Sequence, residues 1–294
     1  MGETNLISVV TLSPAVDVTY KLKSLNLGEV NRVQEVLKSP GGKALNVARL
    51  LRKLEVVSAL HVPLGGFAGK WIASELEHLG VNASITPIAA ETRTAVTAFT
   101  GDTTVMNEPA SEINANELKA LKKSIPVSEI VVFSGSIPAS VSIEQVRDLF
   151  QHLKTLAETL IIDTSGEALL VASEFADYLK PNLEELEQAT GLSKKDGVKK
   201  LRASGAKLLL SLGEDGVELH SDEITHFKTP KQQGNPTGAG DALTTGFASK
   251  LHEGEKEACR FGCALSATSV RSDVAGDFDP AVLEQILEQV EEIP

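Results

Sequence analysis

Apolar and polar residues alternate along the chain in two regular ways. Five short apolar runs, typical of buried strands, occupy residues 7–12, 57–62, 129–134, 160–163 and 208–212. The segments between them carry apolar residues three and four positions apart, as amphipathic helices do, at residues 43–54, 70–79, 115–123, 143–156, 183–188 and 196–203. Strands that alternate with helices favour a mostly parallel sheet covered on both faces, so the pattern predicts an α/β fold.

The pattern changes after Leu212. Two strand-like stretches, at residues 216–220 and 223–228, flank a Ser221-Asp222 turn and predict an antiparallel edge. Helical patterns then follow at residues 241–251, 256–270 and 281–290. Small residues dominate the middle one of these three helices, which predicts that it packs closely against a neighbour.

Two stretches have a strand-like pattern without an accompanying helix, at residues 17–36 and 93–106. They predict a small sheet that stands apart from the main one, as a lid over a site would. The chain has 294 residues and no repeat, low-complexity tract or linker. We therefore expect one domain over residues 1–294, with this lid inserted.

Composition restricts the expected partners and compartment. Forty acidic residues against 28 basic ones give a formal net charge of −12, and no basic face is segregated, so nucleic acid is not an expected partner. No apolar run approaches the ~20 residues of a membrane span, and the N-terminal residues lack the features of a signal peptide. Two cysteines are too few for a disulfide framework or a zinc site. The expected location is the cytoplasm, without membrane association.

The most informative polar segment is Gly234-Asn235-Pro236-Thr237-Gly238-Ala239-Gly240-Asp241, directly before an apolar helix. Glycines two apart at a helix start let backbone N–H groups converge on an anion, assisted by the helix dipole. A carboxylate beside such amides is suited to accept a proton from a hydroxyl while they stabilise a transferring phosphoryl group. The alternative is a glycine-rich turn in which Asp241 is an ordinary first-turn residue. Neither G-x-x-x-x-G-K-[ST] nor G-x-G-x-x-G is present, which argues against P-loop and Rossmann sites.

A second glycine-bearing helix start, Pro40-Gly41-Gly42-Lys43-Ala44-Leu45-Asn46, lies near the other end of the chain. Close approach of the backbone at Gly41 and Gly42, together with the Asn46 amide, could hold sugar hydroxyls. The alternative is a plain helix start with Lys43 in solvent. Arg93, at the start of the second lid stretch, is open in the same way: it is either a phosphate-binding residue or a surface charge.

Together, these two motifs resemble those of the PfkB, or ribokinase-like, family of carbohydrate kinases. Further matches follow in the family's order along nearly the whole chain: Ser13-Pro14-Ala15-Val16-Asp17, Thr92-Arg93, Asn107-Glu108-Pro109, Ser134-Gly135-Ser136-Ile137-Pro138, Lys180-Pro181-Asn182-Leu183-Glu184-Glu185 and Ser211-Leu212-Gly213-Glu214-Asp215-Gly216. The resemblance implies a three-layer α/β/α fold with a small β-sheet lid, and transfer of a phosphoryl group from ATP to an alcohol with Mg²⁺. Gly28-Glu29-Val30-Asn31-Arg32, with Lys43 and Asn46-Val47-Ala48-Arg49, looks most like the phosphohexose branch, which includes 1-phosphofructokinase and tagatose-6-phosphate kinase.

By this resemblance, residues of the N-terminal half would hold the acceptor sugar. Those expected to contact its hydroxyls or line its pocket are Asp17, Gly41, Gly42, Asn46 and Ser136. Those expected to contact its phosphate are Lys43, Arg93 and Arg32. Local cations fit this assignment, because a chain of net charge −12 that binds two polyanions needs them.

The C-terminal half would hold ATP, by the same resemblance. The residues expected at the nucleotide are Asn182, Glu185, Ser211, Gly213, Gly216, Gly238 and Gly240. Asn182 and Glu185 would order Mg²⁺, with Glu185 reaching the metal through water. The catalytic group would be Asp241 as general base, with an anion hole from Gly238, Ala239 and Gly240. Asp163 ends a strand at the edge where α/β folds bind ligands, or else caps a helix.

The leading expectation is phosphorylation of a phosphoketohexose to a bisphosphate, with fructose 1-phosphate as the first choice of acceptor. Tagatose 6-phosphate, fructose 6-phosphate and an unphosphorylated sugar are alternatives, and a non-catalytic sugar-phosphate sensor is a remote one. Ser13 and Ala44 replace a usual asparagine and glycine of the family, which bears on the identity of the sugar. Lid strands at residues 19–23 and 94–100 are expected to expose edges that a homodimer would cover, as in relatives.

Overall fold

The computed structural model describes residues 6–101 and 103–293. The N-terminal segment without signal-peptide features, and both ends of the expected domain, therefore lie outside the described residues. Within them, no helix is both long and apolar enough to cross a bilayer.

Fourteen strands and ten α-helices make up the described part of the chain. The strands are β1 (Ile7–Val10), β2 (Ala15–Lys21), β3 (Glu35–Gly41), β4 (Ser58–Leu64), β5 (Ala83–Pro87), β6 (Arg93–Phe99), β7 (Thr103–Asn107), β8 (Ser128–Ser134), β9 (Ala157–Asp163), β10 (Tyr178–Leu179), β11 (Lys207–Ser211), β12 (Val217–His220), β13 (Ile224–Lys228) and β14 (Glu291–Ile293). The α-helices are α1 (Lys43–Lys53), α2 (Gly66–His78), α3 (Ala115–Ser124), α4 (Ile143–Leu156), α5 (Glu167–Ala172), α6 (Leu183–Thr190), α7 (Lys194–Leu201), α8 (Ala239–Lys250), α9 (Glu255–Ser269) and α10 (Pro280–Leu287).

The larger sheet has ten strands in the order β14-β13-β12-β11-β10-β9-β8-β1-β4-β5. Neighbours from β11 to β5 are parallel. The remaining three strands are added antiparallel at one edge. The predicted mostly parallel sheet and its antiparallel edge are thereby confirmed.

Some elements are additional to those that the pattern predicts, namely β5, β10, β14 and α5. All four have six residues or fewer and show no clear period, and β5 is an edge strand of mixed burial. Helix α2 begins at Gly66, four residues before the predicted start. The Glu91 carboxylate accepts hydrogen bonds from the amides of Phe67 (3.1 Å) and Ala68 (2.6 Å) and so satisfies this earlier N-terminus, which the chain pattern alone does not reveal.

The central strands of the larger sheet are buried on both faces. On β8, Val132 packs in a hydrophobic cluster with Leu45 of α1 and Phe247 of α8. The next residue, Phe133, points into a second cluster, where its ring meets that of Phe150 on α4 at a centroid distance of 5.1 Å. Helices therefore cover both faces, which confirms the predicted three layers.

A separate four-stranded sheet, here called the lid sheet, has the order β3-β2-β6-β7. Strands β2 and β6 pair in parallel at its centre, and β3 and β7 flank them in antiparallel fashion. The expectation that strands near 19–23 and 94–100 expose free edges is wrong, because β2 and β6 pair with each other. The outer edges belong to β3 and β7, which the pattern could not reveal because it carries no information on pairing. Residues 22–34 form neither helix nor strand.

Helices α8 and α9 pack closely through glycine. A Cβ atom on Gly246 would lie 2.6 Å from the Cα atom of Gly262. A Cβ atom on Gly262 would lie 2.8 Å from the carbonyl oxygen of Leu243. The small residues of α9 therefore serve close packing, as the sequence predicts.

Candidate active site

Two adjoining cavities lie where the carboxyl ends of the parallel strands meet the N-termini of α1, α6 and α8. Their volumes are about 470 and 360 Å³. The residues that line both are Asn182, Ser211 and Gly240. Ligands of open α/β sheets bind at this edge, and two joined cavities are suited to bring two substrates together.

The lid sheet lines the first cavity with one of its faces. Alternate residues of its four strands face the cavity, as the two-residue period of a strand requires: Asp17, Thr19, Leu37, Ser39, Ala95, Thr97, Val105 and Asn107. Most of these side chains are polar or small. The lid sheet therefore presents a surface suited to a hydrophilic ligand.

Asp17 is the carboxylate of this lid face. A Cβ atom on Gly41 would lie 1.9 Å from its Cγ atom, so only glycine at position 41 leaves room for the carboxylate. Burial raises the pKa of Asp17 to about 6, although a hydrogen bond from the Gly42 amide and the charge of Arg93 lower it. An acceptor for hydroxyl hydrogen bonds thus lies beside a cation.

Arg93 begins strand β6 and lines the same cavity as Asp17 and Ser136. Its Nη1 atom donates a hydrogen bond to the Glu108 carbonyl (3.1 Å), whereas its buried Nε atom has no partner among the described residues. Burial lowers the pKa of Arg93, against the charges of Asp17 and Glu108. A buried guanidinium nitrogen without a partner is suited to bind an anion.

Asp241 lies in the first turn of α8 and is 5% exposed. Its Oδ2 atom accepts a hydrogen bond from Nδ2 of Asn46 at 2.8 Å, so α1 orients this carboxylate. Burial, and after it the charge of Asp163, raise the pKa of Asp241 to about 7. A carboxylate with this pKa, facing a cavity, is suited to accept a proton near neutral pH.

Gly238 precedes α8 in a left-handed conformation, with φ +86°, which glycine adopts at little cost. The Ala239 amide donates to the Pro236 carbonyl at 3.1 Å within this turn. Ala239 lines the second cavity, Gly238 the first, and Gly240 both. The free end of the α8 dipole therefore meets the junction of the two cavities.

A partly buried cluster of opposite charges lies beside Asp241. The Lys43 ammonium is 2.8 Å from Oδ1 of Asp163 and 3.2 Å from Oε1 of Glu185. Burial lowers the pKa of Lys43, but the charges of Asp163 and Glu185 outweigh burial and leave that pKa above its ordinary value. In this structure Lys43 is half-buried and paired with two carboxylates of the first cavity, so it is not the free surface lysine of a plain helix start.

Lys180 is a site residue to which the sequence analysis gave no role. It is 3% exposed and lines the first cavity, with its Nζ atom 3.5 Å from Oδ1 of Asp163. A Cβ atom on Gly240 would lie 2.9 Å from that Nζ atom. Lys180 is the first residue of the Lys180-Pro181-Asn182 motif. Its position directly before the predicted Mg²⁺ residues is the feature of the sequence that indicates a place in the site.

Asp163 holds both lysines and is fully buried. Burial raises the pKa of Asp163, but the charges of Lys180 and Lys43 outweigh it and leave the pKa below its ordinary value. It caps no helix, because α5 begins after Gly166. Of the two roles left open for Asp163, the structure thus favours one at the ligand-binding edge.

Asn182 and Glu185 form a capping box at the start of α6. The Asn182 side chain accepts from the Glu185 amide at 2.7 Å, and the Glu185 carboxylate accepts from the Asn182 amide at 2.9 Å. Glu185 uses its other oxygen for Lys43. The motif therefore has a structural role, and both of its residues also line the first cavity.

The second cavity is formed by the turn after β11 and the loop before α8, with α9 as its floor. Ser211, Gly213 and Gly216 line it. Gly216 has φ +92°, and a Cβ atom there would lie 2.1 Å from the Phe227 carbonyl oxygen, so glycine is required. This cavity has room for a ligand that extends away from Asp241.

Most of the residues predicted from the sequence line one of the two cavities. Gly41 instead lies behind Asp17. Arg32 is exposed in the segment 22–34 and lines neither cavity. The structure therefore brings the predicted sugar-side and nucleotide-side residues to one place, apart from Arg32.

The model of the pfkB family carbohydrate kinases matches residues 7–281 of the chain. The chain belongs to this family. Among curated PfkB relatives, it is 32% identical to 1-phosphofructokinase of Bacillus subtilis (strain 168), over 97% of this chain and 98% of that protein. It is 28% identical to tagatose-6-phosphate kinase of Staphylococcus epidermidis (strain ATCC 12228), over 98% and 99% of the two chains.

Solved structures of PfkB kinases have the same fold. Phosphofructokinase-2 from Escherichia coli, solved in complex with fructose-6-phosphate, superposes with a TM-score of 0.85 at 25% identity, over 96% of this chain and 98% of that one. The predicted ribokinase-like fold is thereby confirmed. PfkB carbohydrate kinases transfer a phosphoryl group from ATP to a sugar, so this chain is an ATP-dependent sugar kinase.

Proposed function

We propose that this PfkB kinase transfers the γ-phosphoryl group of ATP to a hydroxyl of a phosphoketohexose and forms a bisphosphate. Fructose 1-phosphate, giving fructose 1,6-bisphosphate, is our first choice of acceptor, and tagatose 6-phosphate and fructose 6-phosphate follow. The observation that carries the proposal is Arg93, which lines the same cavity as Asp17 and Asp241 and has a buried Nε atom without a partner among the described residues. The similarity to 1-phosphofructokinase supports the choice.

In this proposal, Asp17, Gly42 and Asn46 hold the acceptor hydroxyls, with Ser136 at the wall and Gly41 behind Asp17. Arg93 binds the acceptor phosphate. The Lys43 ammonium contacts Asp163 and Glu185, so its part in binding that phosphate requires it to leave them. Arg32 lies outside the cavity and its phosphate role stays a prediction.

The chemistry follows from the groups around Asp241. The carboxylate takes the proton of the acceptor hydroxyl, whose oxygen forms a bond to the γ-phosphorus while the bond from that phosphorus to the bridging oxygen of ADP breaks. The amides of Gly238 and Gly240, with the α8 dipole, stabilise the negative charge of the transferring group. Lys180, beside Gly240, adds a positive charge there. The Ala239 amide, used by Pro236, contributes least to this anion hole.

The nucleotide lies in the second cavity, with its phosphates toward Ser211 and Gly240 and its remainder toward Gly213 and Gly216. No cluster of three or more metal-ligating side chains occurs in the described ranges, which fits a metal held largely by phosphates and water. Glu185 and Asn182 would hold Mg²⁺ through water. When bound, Mg²⁺ would neutralise part of the negative charge of the ATP phosphates.

We further propose that the chain is one domain with a lid and that it forms a homodimer through the lid. Half of the large apolar side chains that are exposed in the described part of the chain lie within residues 22–36 and 103–107: Leu25, Leu27, Val30, Val33, Val36, Val105 and Met106. Exposed apolar side chains concentrated in the lid are costly in water and support a partner surface there. Two buried free cysteines support a reducing compartment, the cytoplasm.

The test is an ADP-release assay with Mg-ATP and six acceptors: fructose 1-phosphate, tagatose 6-phosphate, fructose 6-phosphate, fructose, tagatose and ribose. We expect turnover with phosphorylated ketohexoses, fructose 1-phosphate having the highest kcat/KM. Turnover with free sugars only would contradict the proposal, and ATP binding without any turnover would favour a sensor. Arg93→Ala should raise KM for the phosphorylated acceptor by about 10-fold or more, because a charged hydrogen bond is lost. The exposed Arg147→Ala, far from the cavity on α4, is the control.

A further inference from the structure

Arg49 lies on α1 three residues after Asn46, so both side chains leave the same side of the helix. Asn46 binds the carboxylate of Asp241. The Nη1 atom of Arg49 donates to two backbone carbonyls, those of Pro40 (3.3 Å) and Ala275 (3.0 Å). One helix therefore contacts the catalytic carboxylate and, one turn later, the end of strand β3 and the segment around Ala275.

The two carbonyls belong to opposite halves of the site. Pro40 is in the last part of lid strand β3, next to Gly41, which backs Asp17. Ala275 lies against the glycine before α8: a Cβ atom on Gly238 would be 2.9 Å from the Cβ atom of Ala275. Arg49 thus joins the acceptor side of the cavity to the segment behind the anion hole.

Gly276, the residue after Ala275, also packs directly against Asn46 and Arg49 of α1. Gly276 has φ +73°, and a Cβ atom there would lie 2.9 Å from Oδ1 of Asn46 and 3.2 Å from Nη1 of Arg49. The segment is therefore held against α1 without spare room. A shift of this segment would reach Asn46 and Gly238 together.

Arg49 forms no ion pair with the described residues. No carboxylate of the described residues lies within 4.0 Å of its guanidinium. Burial lowers the pKa of Arg49, whereas the charges of Asp277 and Asp17 raise it. Its positive charge in turn acts on Asp17, together with that of Arg93 on β6.

We propose that Arg49 is a positioning residue for phosphoryl transfer, which fixes the Pro40 end of the lid sheet relative to the Ala275 segment behind the anion hole. The proposal rests on the proposed kinase function. Arg49 touches neither the acceptor nor ATP in this arrangement. It acts through the backbone at Pro40 and Ala275, and through its charge on Asp17.

The test compares Arg49→Ala and Arg49→Lys with Arg52→Ala. Arg52 is on the same helix, is exposed, and donates to the Gly80 carbonyl, away from both cavities. Arg49→Ala should lower kcat by about 10- to 100-fold, as loss of charged hydrogen bonds predicts. Loss of the positive charge should also raise the pKa of Asp17 from about 6, so the part of the acid limb of kcat/KM that lies near pH 6, below the pKa of Asp241, should move to higher pH. Arg49→Lys should keep that limb in place and restore part of kcat, and Arg52→Ala should match the wild type.

Hydrogen exchange supplies a readout that needs no acceptor. Arg49→Ala should speed amide exchange in both Glu35–Gly41 and residues 274–276, and Arg52→Ala in neither. Unchanged exchange in these segments would overturn the proposal. So would a kcat of Arg49→Ala within twofold of the wild-type value together with an acid limb at the same pH. Equal losses in Arg49→Ala and Arg49→Lys that follow a lower Tm, with an unmoved acid limb, would reduce Arg49 to a structural role. A wild type that turns over no acceptor while the exchange result holds would instead contradict the kinase proposal.

Discussion

At the scale of the residue, the pKa and the orientation of the Asp241 carboxylate are set by its neighbours. Replacing it by asparagine keeps the shape and an oxygen that can accept the hydrogen bond from Asn46, but removes the base. We expect Asp241→Asn to lower kcat by roughly 10²–10⁴-fold, the range for general-base catalysis, with little change in the nucleotide Kd. Asp222→Asn, at an exposed turn, is the control. Full activity of Asp241→Asn would contradict the proposed mechanism.

The pH dependence of Asp241 has a definite sign. Because its pKa is raised to about 7 in the folded protein, it is protonated below that pH, and kcat/KM should rise with pH through about 7. The folded chain also binds this proton more tightly than the unfolded chain, so stability from this group is present at pH 4 and lost as pH rises through 7. Asp241→Asn should therefore raise Tm by a few degrees at pH 8 but not at pH 4. An equal change at both values would show that the carboxyl is not perturbed.

At the scale of the element, Glu185 at the start of α6 has a structural role in the capping box and a proposed role at Mg²⁺, and one substitution can distinguish the two. Glu185→Gln keeps an oxygen for the Asn182 amide, so the capping box survives, but it removes the carboxylate charge. We expect Tm to fall by no more than a few degrees, through the lost ion pair with Lys43, and the Mg²⁺ concentration for half-maximal rate to rise roughly 10- to 100-fold, as for altered groups around a metal.

The matched control for that variant is Glu117→Gln. Glu117 closes the same kind of capping box at the start of α3 and lines neither cavity. Its substitution should leave the Mg²⁺ requirement unchanged. If both variants had the same Mg²⁺ requirement as the wild type, Glu185 would be a cap only.

Elements with a full period could be predicted from the sequence, and those fixed by distant contacts could not. Helix α4 shows four buried positions at helical spacing and matches its predicted bounds. Strand β10 has two residues and exists because β9 and β11 pair with it on either side. The early start of α2 needs the carboxylate of Glu91, which is remote in the chain.

The site was predictable where a motif joins residue type to local geometry. The glycines before α8 and the capping pair of α6 are of this kind. The partners of Lys43 were not, since Asp163 lies 120 residues away. Spacing along the chain carries no information about which buried charges meet.

At the scale of the whole molecule, the exposed apolar side chains of segment 22–36 predict the oligomeric state. Leu27 is 92% exposed, and burying such a side chain contributes about 1.5–3 kcal/mol. The wild type should be a dimer by size-exclusion chromatography with light scattering, and Leu27→Asp should shift it toward the monomer. Val127→Asp, at a position 75% exposed outside the lid, should stay dimeric. A monomeric wild type, or no effect of Leu27→Asp, would contradict the lid interface.

The glycine contact between α8 and α9 restricts how lineages of this protein can diverge. Gly246 and Gly262 each occupy space in which a methyl group would overlap backbone atoms of the other helix, and no smaller residue exists to compensate. Substitutions are therefore unfavourable at both positions. A second substitution in the facing helix cannot make room, because the overlap is with backbone atoms. Segment 22–34, which has no regular structure, is free of that restriction. Descendants with new acceptors should differ around the lid while the helix that bears Asp241 stays as it is.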